Sequence, residues 1–385
     1  MNLVGKRVLS AAALMVVALM ASTMAYGQAA GDQKPLLAEE AFKNIQVLRG
    51  IPVKEFMETM GFFASSLSLN CSDCHGEASG SDWANYALET PLKQTARRMV
   101  IMVTELNKAN FGGVRSVTCY TCHRGNTQPQ IVPSLAAQYA EPPDVDPDLV
   151  EPVPGIKVTA TPEQILDKYI QALGGAAALG KLTSYTGKGT YDGFDSDFSG
   201  VPVDFYAKAP NMRATIAHMK GGDSTNTFDG INAWSAGPST LVPIPVMQFY
   251  GEDLTGARLD AVLTFPTQIK QALTDWKGGY PAMTIDGKSV DVIEGKMGGN
   301  VRVKLYFDKA TGLLVRQARF TETKVGVIST HWTYSDYRTV PGVGAKVPFQ
   351  WQITWVDGQS NIKLTSVQPN VTIDAAKFGK PAPPK

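Results

Sequence analysis

Three patterns of hydrophobic and polar positions follow one another along the chain and predict three kinds of structure. In the first region, apolar residues recur at helical spacing over 53–67 and again over 92–106, which predicts two amphipathic helices. Pro52 and Pro91 stand at the starts of these stretches, where a helix tolerates proline best. Polar residues and glycines interrupt the pattern after each stretch, so each predicted helix ends in a turn.

The second region, residues 127–162, is too rich in proline for a regular helix or a central strand. Its prolines stand at positions 129, 133, 142, 143, 147, 152, 154 and 162. Such a composition favours extended, semi-rigid chain. We therefore predict a proline-rich linker over 133–160, whose second half acts as a tether between two domains. Ordered coil that packs across the N-terminal helical region is the alternative.

In the third region, short runs rich in β-branched and aromatic side chains alternate apolar and polar residues, as strands do. A capping pattern at Thr161–Gln164 predicts an opening helix that ends at Gly174. A second helical stretch, near 252–277, separates the early strands from a late meander. The predicted strands are 201–207, 212–217, 301–307, 313–320, 328–334 and 349–355. Residues 161–378 are thus predicted to form an α+β domain with one curved antiparallel sheet, like a half-barrel.

The extreme N-terminus has the pattern of a secretory signal peptide. Lys6 and Arg7 precede an apolar run over 8–20, and small and polar residues follow up to Gly27. We predict a signal peptide over 1–27 and export to the periplasm or the extracellular space. An uncleaved anchor is the alternative, but the run is short for a membrane span, which needs about 20 residues. Membrane association is not indicated after cleavage.

Charge excludes some classes of partner. The chain has 36 basic and 35 acidic residues, and the chain without residues 1–27 has 34 and 35, a net charge of −1. This balance, without a basic cluster, does not favour binding to nucleic acid or to an anionic membrane surface.

Every cysteine lies in one of two C-x-x-C-H motifs, Cys71–His75 and Cys119–His123, called here the first and the second motif. This pattern is typical of c-type haem attachment. Two thiols one helical turn apart can form thioethers with the haem vinyl groups, and the next residue supplies the proximal nitrogen ligand of the iron. We predict two haem c groups in a cytochrome c domain over 35–132. The predicted cofactor-binding residues are Cys71, Cys74, Cys119 and Cys122, and the predicted metal ligands are His75 and His123.

Other uses of the four thiols fit the pattern less well. A zinc site built from two C-x-x-C pairs needs them roughly 15–20 residues apart, whereas 44 residues lie between Cys74 and Cys119. Disulfide pairing would leave both adjacent histidines unexplained. A thioredoxin-like dithiol would not need histidine in the same place twice.

Methionines on the two predicted helices are the nearby candidates for a sixth iron ligand. Met57 and Met60 lie on the helix before the first motif, and Met99 and Met102 lie on the helix before the second. Methionine at helical spacing is more often part of a core than a ligand. The pattern alone does not choose within either pair.

Residues 44–129 contain a set of short motifs that resembles the photosynthetic reaction-centre cytochrome c subunits. The motifs are Gln46-Val-Leu, Glu55-Phe56 with Met60 four residues after the phenylalanine, Ala96-Arg97-Arg98-Met99, Asn107, and the run from Val117 to Gly125. In that family, a methionine on the helix before each of the first two motifs is the sixth ligand. The resemblance therefore implies Met60 and Met99 as metal ligands, with redox proteins as partners.

The chain also departs from that family. Its photosynthetic members carry four haems and a cysteine for lipid attachment, whereas this chain has two motifs and no further cysteine. The resemblance thus implies an electron-carrying domain and does not imply a reaction centre as partner.

The C-terminal region resembles the half-barrels of outer-membrane lipoprotein carriers in a general way, through its strand pattern, the turn over 307–314 and Tyr334–Tyr337. Such a half-barrel encloses a concave apolar space, so a lipophilic ligand is one expectation. A concave face filled by the domain's own side chains is the alternative. His218 and His331 stand in strand-like runs, where we expect structural roles.

Together, the patterns predict a multidomain protein whose mainly α, multihaem cytochrome c domain precedes the β-rich accessory domain. We expect an exported dihaem cytochrome that transfers electrons and is not an enzyme. One alternative is a binding protein that holds a lipophilic ligand or partner in the half-barrel. The other is a dihaem enzyme of peroxidase type, which needs an open axial position, and the methionines near both motifs argue against it.

Overall fold

The computed structural model describes residues 34–80, 82–141, 145–239 and 242–384. The predicted signal peptide over 1–27 lies outside these residues. Residues Leu36–Lys385 form one compact unit. Within the described ranges, no helix combines the length and the apolar character that a bilayer crossing needs.

Helices dominate the N-terminal part of the described chain, and four more accompany the sheet. The α-helices are α1 (Ala38–Ala41), α2 (Val53–Leu67), α3 (Cys71–His75), α4 (Pro91–Asn110), α5 (Cys119–His123), α6 (Leu135–Gln138), α7 (Pro162–Ala172), α8 (Gly175–Lys181), α9 (Gly251–Thr264) and α10 (Ile269–Ala272). Short 3-10 turns span Glu77–Gly80, Trp83–Ala87, Pro147–Leu149, Phe194–Ser196, Pro266–Gln268 and Ala375–Phe378.

The two amphipathic helices predicted before the motifs are confirmed as α2 and α4. Helix α2 ends where Ser68 adopts a left-handed conformation, with φ at 52°. Helix α4 begins at Thr90, whose hydroxyl accepts a hydrogen bond from the Lys93 amide at 3.2 Å, with Pro91 in the first turn. Local capping and apolar spacing agree in both helices, which is why the sequence indicates their bounds.

The strands form one antiparallel sheet in which most neighbours in sequence are neighbours in space. The described strands are β1 (Ser184–Gly193), β2 (Val201–Lys208), β3 (Met212–Met219), β4 (Gly222–Phe228), β5 (Ala233–Ala236), β6 (Val246–Gln248), β7 (Thr274–Lys277), β8 (Met283–Ile285), β9 (Lys288–Met297), β10 (Val301–Asp308), β11 (Leu314–Glu322), β12 (Val327–Thr339), β13 (Lys346–Trp355) and β14 (Gly358–Pro369). Their order is β6-β5-β4-β3-β2-β1-β14-β13-β12-β11-β10-β9-β7, with β8 paired to β9. The first and the last long strands, β1 and β14, pair with each other and join the two halves of the sheet.

Side-chain contacts across the inner face show how strongly the sheet curves. Strands β3 and β12 lie five places apart in the sheet, which would separate them by roughly 24 Å in a flat sheet. The Arg213 guanidinium on β3 nevertheless lies 4.6 Å from the ring centre of Trp332 on β12. The predicted curved antiparallel sheet is therefore confirmed.

The inner face of the sheet is filled by the domain's own side chains. Helix α7 contributes Leu166 and Tyr169 to this core, and helix α9 contributes Leu259. From the strands come buried residues such as Phe205 and Leu305. Burying apolar surface on this scale is the main source of stability for the domain.

The six predicted strands are confirmed as β2, β3, β10, β11, β12 and β13. Strands β1 and β14 are not among the predicted strands, because β1 contains three glycines and β14 is mostly polar. Both are strands because each has a pairing partner on two sides: β1 lies between β2 and β14. Tertiary pairing here outweighs weak local preference.

The second half of the proline-rich segment packs on the outer face of the sheet. Residues 146–156, called here the strap, include Asp148, which is buried. The Nδ1 of His331 donates to Asp148 Oδ2 at 2.9 Å, and the buried Lys304 ammonium donates to the Asp148 and Val150 carbonyls at 3.0 and 2.6 Å. The sequence favours a tether here, and the structure instead shows a docked segment held by polar contacts. The domain boundaries at 132, 160 and 378 stay a prediction.

A second hydrophobic cluster joins the N-terminal helices to the sheet. Phe62 of α2 and Val100 of α4 pack with Val325 and Ile328, which lie at the β11–β12 turn. The helical region and the sheet therefore share buried contacts.

Candidate haem-binding site

The first motif forms a short helix held by a reciprocal pair of capping hydrogen bonds. The Asn70 side chain accepts from the Asp73 amide at 3.1 Å, and the Asp73 carboxylate accepts from the Asn70 amide at 2.8 Å. Because both ends of this turn are fixed, Cys71, Cys74 and His75 lie on a single turn of α3.

The second motif repeats this arrangement with different residues. The Thr118 hydroxyl accepts from the Thr121 amide at 3.4 Å, and the Thr121 hydroxyl accepts from the Thr118 amide at 3.0 Å. Residue Arg124 then ends α5 in a left-handed conformation, with φ at 50°. The two motifs are thus alike in structure as well as in sequence.

Both motif histidines present the same nitrogen for ligation. The Nδ1 of His75 lies 2.9 Å from the Tyr86 carbonyl oxygen, and the Nδ1 of His123 lies 3.0 Å from the Asn126 carbonyl oxygen. A carbonyl oxygen only accepts hydrogen bonds, so each Nδ1 carries the proton and each neutral ring has its lone pair on Nε2. Burial lowers the pKa of His75, which favours the neutral form, although the Tyr86 carbonyl acts in the opposite direction. Metal-binding histidines are commonly oriented in this way.

The thiols are free and accessible enough for covalent attachment. None of the four cysteines forms a disulfide; Cys71 and Cys122 are exposed, and Cys74 and Cys119 are half-buried. Burial raises the pKa of the Cys74 and Cys119 thiols. In the described parts of the chain, no group of three or more His, Cys, Asp or Glu side chains could hold a metal ion. The four thiols lie in two separate helical turns, two in each.

Each motif is anchored by the helix that precedes the other. The Gly125 amide, just after the second motif, donates to the Ser66 carbonyl of α2 at 3.0 Å, and the Ser68 hydroxyl donates to the Gly125 carbonyl at 2.6 Å. The Thr90 hydroxyl, at the start of α4, donates to the Cys74 carbonyl at 2.5 Å. The motifs and helices are therefore interlocked.

Asn107 of α4 fixes the chain that leads into the second motif. Its side chain is buried, donates to the Val117 carbonyl at 2.7 Å and accepts from the Ser116 and Val117 amides at 3.1 and 3.0 Å. Three hydrogen bonds from one buried amide hold this segment against the helix. Asn107 entered the sequence analysis only through the family resemblance.

The four candidate methionines differ in exposure. Met60 packs against the cluster that joins α2 to the sheet, and Met99 is half-buried. Met57 and Met102 are 36 % and 47 % exposed. The choice of Met60 and Met99 as ligands stays a prediction.

The groups that orient the histidines and cap the motifs are not among the residues predicted from the sequence. The Tyr86 and Asn126 contacts use backbone carbonyls, which leave no trace in side-chain identity. The capping residues did leave a signal, because Asn70 and Thr118 are strong N-cap residues placed just before the first cysteine of each motif.

The remaining histidines contact carboxylates outside the motifs. His218 lies 2.8 Å from Asp223 and 3.3 Å from Asp204, and His331 contacts the strap. An open cleft of about 670 Å³ lies at one end of the sheet, and its lining includes Leu182 and Phe265. Two of its polar side chains are bonded within the chain: Ser184 donates to the Val371 carbonyl at 2.7 Å, and Asn370 donates to the Lys181 carbonyl at 3.0 Å.

Comparison with known sequences gives a match to the N-terminal part of the chain. Residues 9–177 match the family model for the photosynthetic reaction centre cytochrome C subunit. The corresponding subunit of Thermochromatium tepidum is 37% identical over 106 residues, which are 26% of this chain and 25% of the relative. That of Rubrivivax gelatinosus is 33% identical over 97 residues, 24% of this chain and 25% of the relative. The chain thus spans about a quarter of the length of these relatives.

Comparison with solved structures gives matches that cover slightly more than half of the chain. A domain from Vibrio parahaemolyticus, described as an outer membrane lipoprotein-sorting protein, is 11% identical with a TM-score of 0.39, over 55% of this chain and 97% of its own. A LolA superfamily protein from Nitrosomonas europaea is 12% identical with a TM-score of 0.37, over 57% of this chain and 98% of its own. The segment that carries both C-x-x-C-H motifs is similar in sequence to photosynthetic reaction-centre cytochrome c subunits.

Proposed function

We propose that this protein is a dihaem c-type cytochrome that carries electrons, with one haem on each motif. The observation that carries the proposal is the repeated geometry of the motifs. In both, two free thiols and a histidine share one helical turn, and a backbone carbonyl holds the histidine Nδ1 so that Nε2 is the ligating atom. The family match of this segment supports the same conclusion.

In this proposal, Cys71 and Cys74 hold one haem and His75 ligates its iron, while Cys119, Cys122 and His123 do the same for the other. Met60 and Met99 are the proposed sixth ligands. A haem bound in this way supplies reversible one-electron oxidation and reduction of iron. The protein's contribution is covalent attachment, ligand identity and orientation, and thioether ligation raises the potential.

We further propose that the chain is exported, that residues 1–27 are its signal peptide and that redox proteins are its partners. Covalent haem attachment is completed outside the cytoplasm, which fits a leader ahead of the motifs. The proposed arrangement of domains is a cytochrome domain over 35–132, a linker over 133–160 and an accessory domain over 161–378.

Haem content is the direct test of this proposal. The chain is expressed together with a c-type haem maturation system, purified and analysed by mass spectrometry under denaturing conditions. We expect the mass of two haems in addition to the polypeptide, and a pyridine haemochrome assay should give the same number. One haem or none would refute the dihaem function.

Spectroscopy of methionine variants tests the sixth ligands. Met60→Ala or Met99→Ala should each remove about half of the sulfur-to-iron charge-transfer absorbance of the oxidised protein and open one haem to carbon monoxide. Met57→Ala and Met102→Ala are matched controls on the same helices, and both should leave the absorbance intact. Loss of absorbance in Met102→Ala but not in Met99→Ala would show that the second assignment is wrong.

A ligand-binding function for the half-barrel is not favoured. The inner face is filled by buried side chains of α7, α9 and the strands, so a lipophilic ligand would have to displace part of the core.

A further inference from the structure

We propose that the sheet domain positions helix α2 and thereby the sixth ligand of the first haem, with Gly326 and Asp357 as positioning residues. This inference rests on the proposed function, because it takes Met60 as that ligand. The accessory domain thereby has a role in the cytochrome, because it fixes the helix that carries Met60.

The first contact is made by Phe62, two residues past Met60 on α2. Gly326, in the turn between β11 and β12, lies directly against the Phe62 ring, and a Cβ placed on Gly326 would be 2.5 Å from Phe62 Cζ. The turn itself is fixed: the Thr323 amide and hydroxyl both donate to the Gly326 carbonyl at 2.8 Å. Thr323 is buried. The ring therefore has no room to move towards the sheet.

The second contact lies beside Met60 on the helix backbone. A Cβ placed on Gly61 would be 2.7 Å from the carboxyl carbon of Asp357, which lies in the turn between β13 and β14. Such an approach is possible only because residue 61 lacks a side chain. The sheet thus touches α2 at the residue that follows Met60.

The third contact lies near the start of α2. The Lys54 ammonium lies 2.9 Å from Asp253 of α9 and 5.2 Å from the ring centre of Phe249, and it also pairs with Glu58 of its own helix. Lys54 and Gly61 are about 10 Å apart along the helix, or two turns. A helix held at two points two turns apart cannot slide along its axis or rotate about it freely. The sheet domain therefore sets both the position of Met60 along the axis of α2 and the direction in which Met60 faces.

The second haem should depend much less on these contacts. Its proposed ligand, Met99, lies on α4, and no residue of α4 makes any of the three contacts. Among the described residues, helix α4 and the second motif reach the cluster shared with the sheet only through Val100 and Cys119. The second motif does rest on α2, but at Ser66 and Ser68, beyond the contact points. The proposal therefore predicts a larger effect on the first haem than on the second, whereas general loss of structure would affect both haems alike.

The test uses Gly326→Ala in the full haem-loaded protein, with Gly200→Ala as the matched control. Gly200 lies on the surface, and a Cβ there meets no atom within 4 Å. In Gly326→Ala we expect loss of up to half of the sulfur-to-iron charge-transfer absorbance, carbon monoxide binding at one haem and a lower potential for one of two redox waves. In a Met99→Ala background, where only the first haem keeps a thioether, the same change should remove the remaining absorbance.

Rescue separates positioning from misfolding. Adding Phe62→Leu to Gly326→Ala gives the new methyl group room, so the double variant should regain the absorbance and the potential. Asp253→Asn, which weakens the contact at the other end, should shift the same wave in the same direction by less.

The proposal is overturned if Gly326→Ala matches Gly200→Ala, if both haems change equally, or if Phe62→Leu does not restore the signal. Denaturing mass spectrometry on every variant separates this failure from failure of the proposed function. Two attached haems with no spectral change would refute the positioning role alone. Fewer than two haems in the unmodified protein would refute the function on which it rests.

Discussion

The motif-bearing region and the sheet domain differ in how they bury apolar surface. In the sheet domain, strands and helices bury side chains such as Leu305, Ile293 and Phe307 almost completely. Over the described residues before the strap, far fewer apolar side chains are buried: Ala38, Leu48, Ile51, Val53, Phe62, Val100 and Val103. Exposed apolar residues lie there instead: Leu36, Met57, Leu88, Leu92, Ile101, Met102, Phe111, Val114, Tyr120, Ile131, Val132, Leu135 and Tyr139.

This difference indicates two sources of stability. The sheet domain is stabilised by packing among its own side chains. The motif-bearing region is held by interlocking hydrogen bonds and by a small hydrophobic cluster that it shares with the sheet. Under the proposed function, two haems supply the apolar surface that its exposed residues would pack against, so the region should depend on its cofactors and the sheet domain should not.

The largest effect should come from removing one attachment site. In a Cys71→Ala and Cys74→Ala double variant, we expect one haem instead of two and a lower melting temperature for the helical signal, because the first haem no longer links α3 to its surroundings. The sheet transition, followed by far-UV circular dichroism, should stay in place. The double variant Cys119→Ala with Cys122→Ala, which removes the other attachment site, is the matched comparison. If the melting temperature of the sheet fell as much as that of the helices, the two regions would not have separate sources of stability.

A core substitution in the sheet domain should give the opposite result. Leu305 is fully buried on β10, so Leu305→Ala should lower the free energy of unfolding of the sheet domain by about 2–5 kcal/mol. Both haems should remain attached. Leu135→Ala, at a side chain 75 % exposed on α6, is the control and should change stability by less than about 0.5 kcal/mol. Urea unfolding with both variants checks this pair.

Asp148→Asn should release the strap at a cost of about 1–3 kcal/mol, the usual range for leaving buried partners unpaired. Burial alone would raise the pKa of Asp148, but the hydrogen bond and charge of His331, together with Arg316, hold it below its ordinary value. Because the folded pKa is the lower one, the carboxylate stabilises docking above about pH 4 and ceases to do so as the pH falls further. Limited proteolysis over 146–156 is compared at neutral and at acidic pH. The unmodified protein should be cut faster at acidic pH, and the variant should be cut fast at both pH values.

The smallest effect is expected at a neighbouring ion pair of the strap. Glu151 Oε1 lies 2.7 Å from Arg302 Nη1, but the carboxylate is 57 % exposed. Glu151→Gln should therefore change the free energy of strap docking by no more than about 1 kcal/mol. A loss as large as that of Asp148→Asn in the same proteolysis assay would mean that burial is not what makes the Asp148 contacts strong.

The sequence by itself determined the features that depend on nearby residues. The bounds of α2 and α4 follow from apolar spacing and from Pro52 and Thr90, which stand at the helix starts. The two motifs are visible because haem attachment needs fixed residue types at fixed short spacing. Six strands with strong alternation were predictable for the same reason.

Only the tertiary structure decided the features that join distant parts of the chain. Strands β1 and β14 pair although more than half of the domain's sequence separates them. Their glycine-rich and polar sequences do not by themselves predict a strand. The strap docks because Asp148 meets His331, far along the chain, and no local pattern encodes that contact. The approach of Gly326 to Phe62 is of the same kind, since packing depends on which surfaces the complete fold brings together.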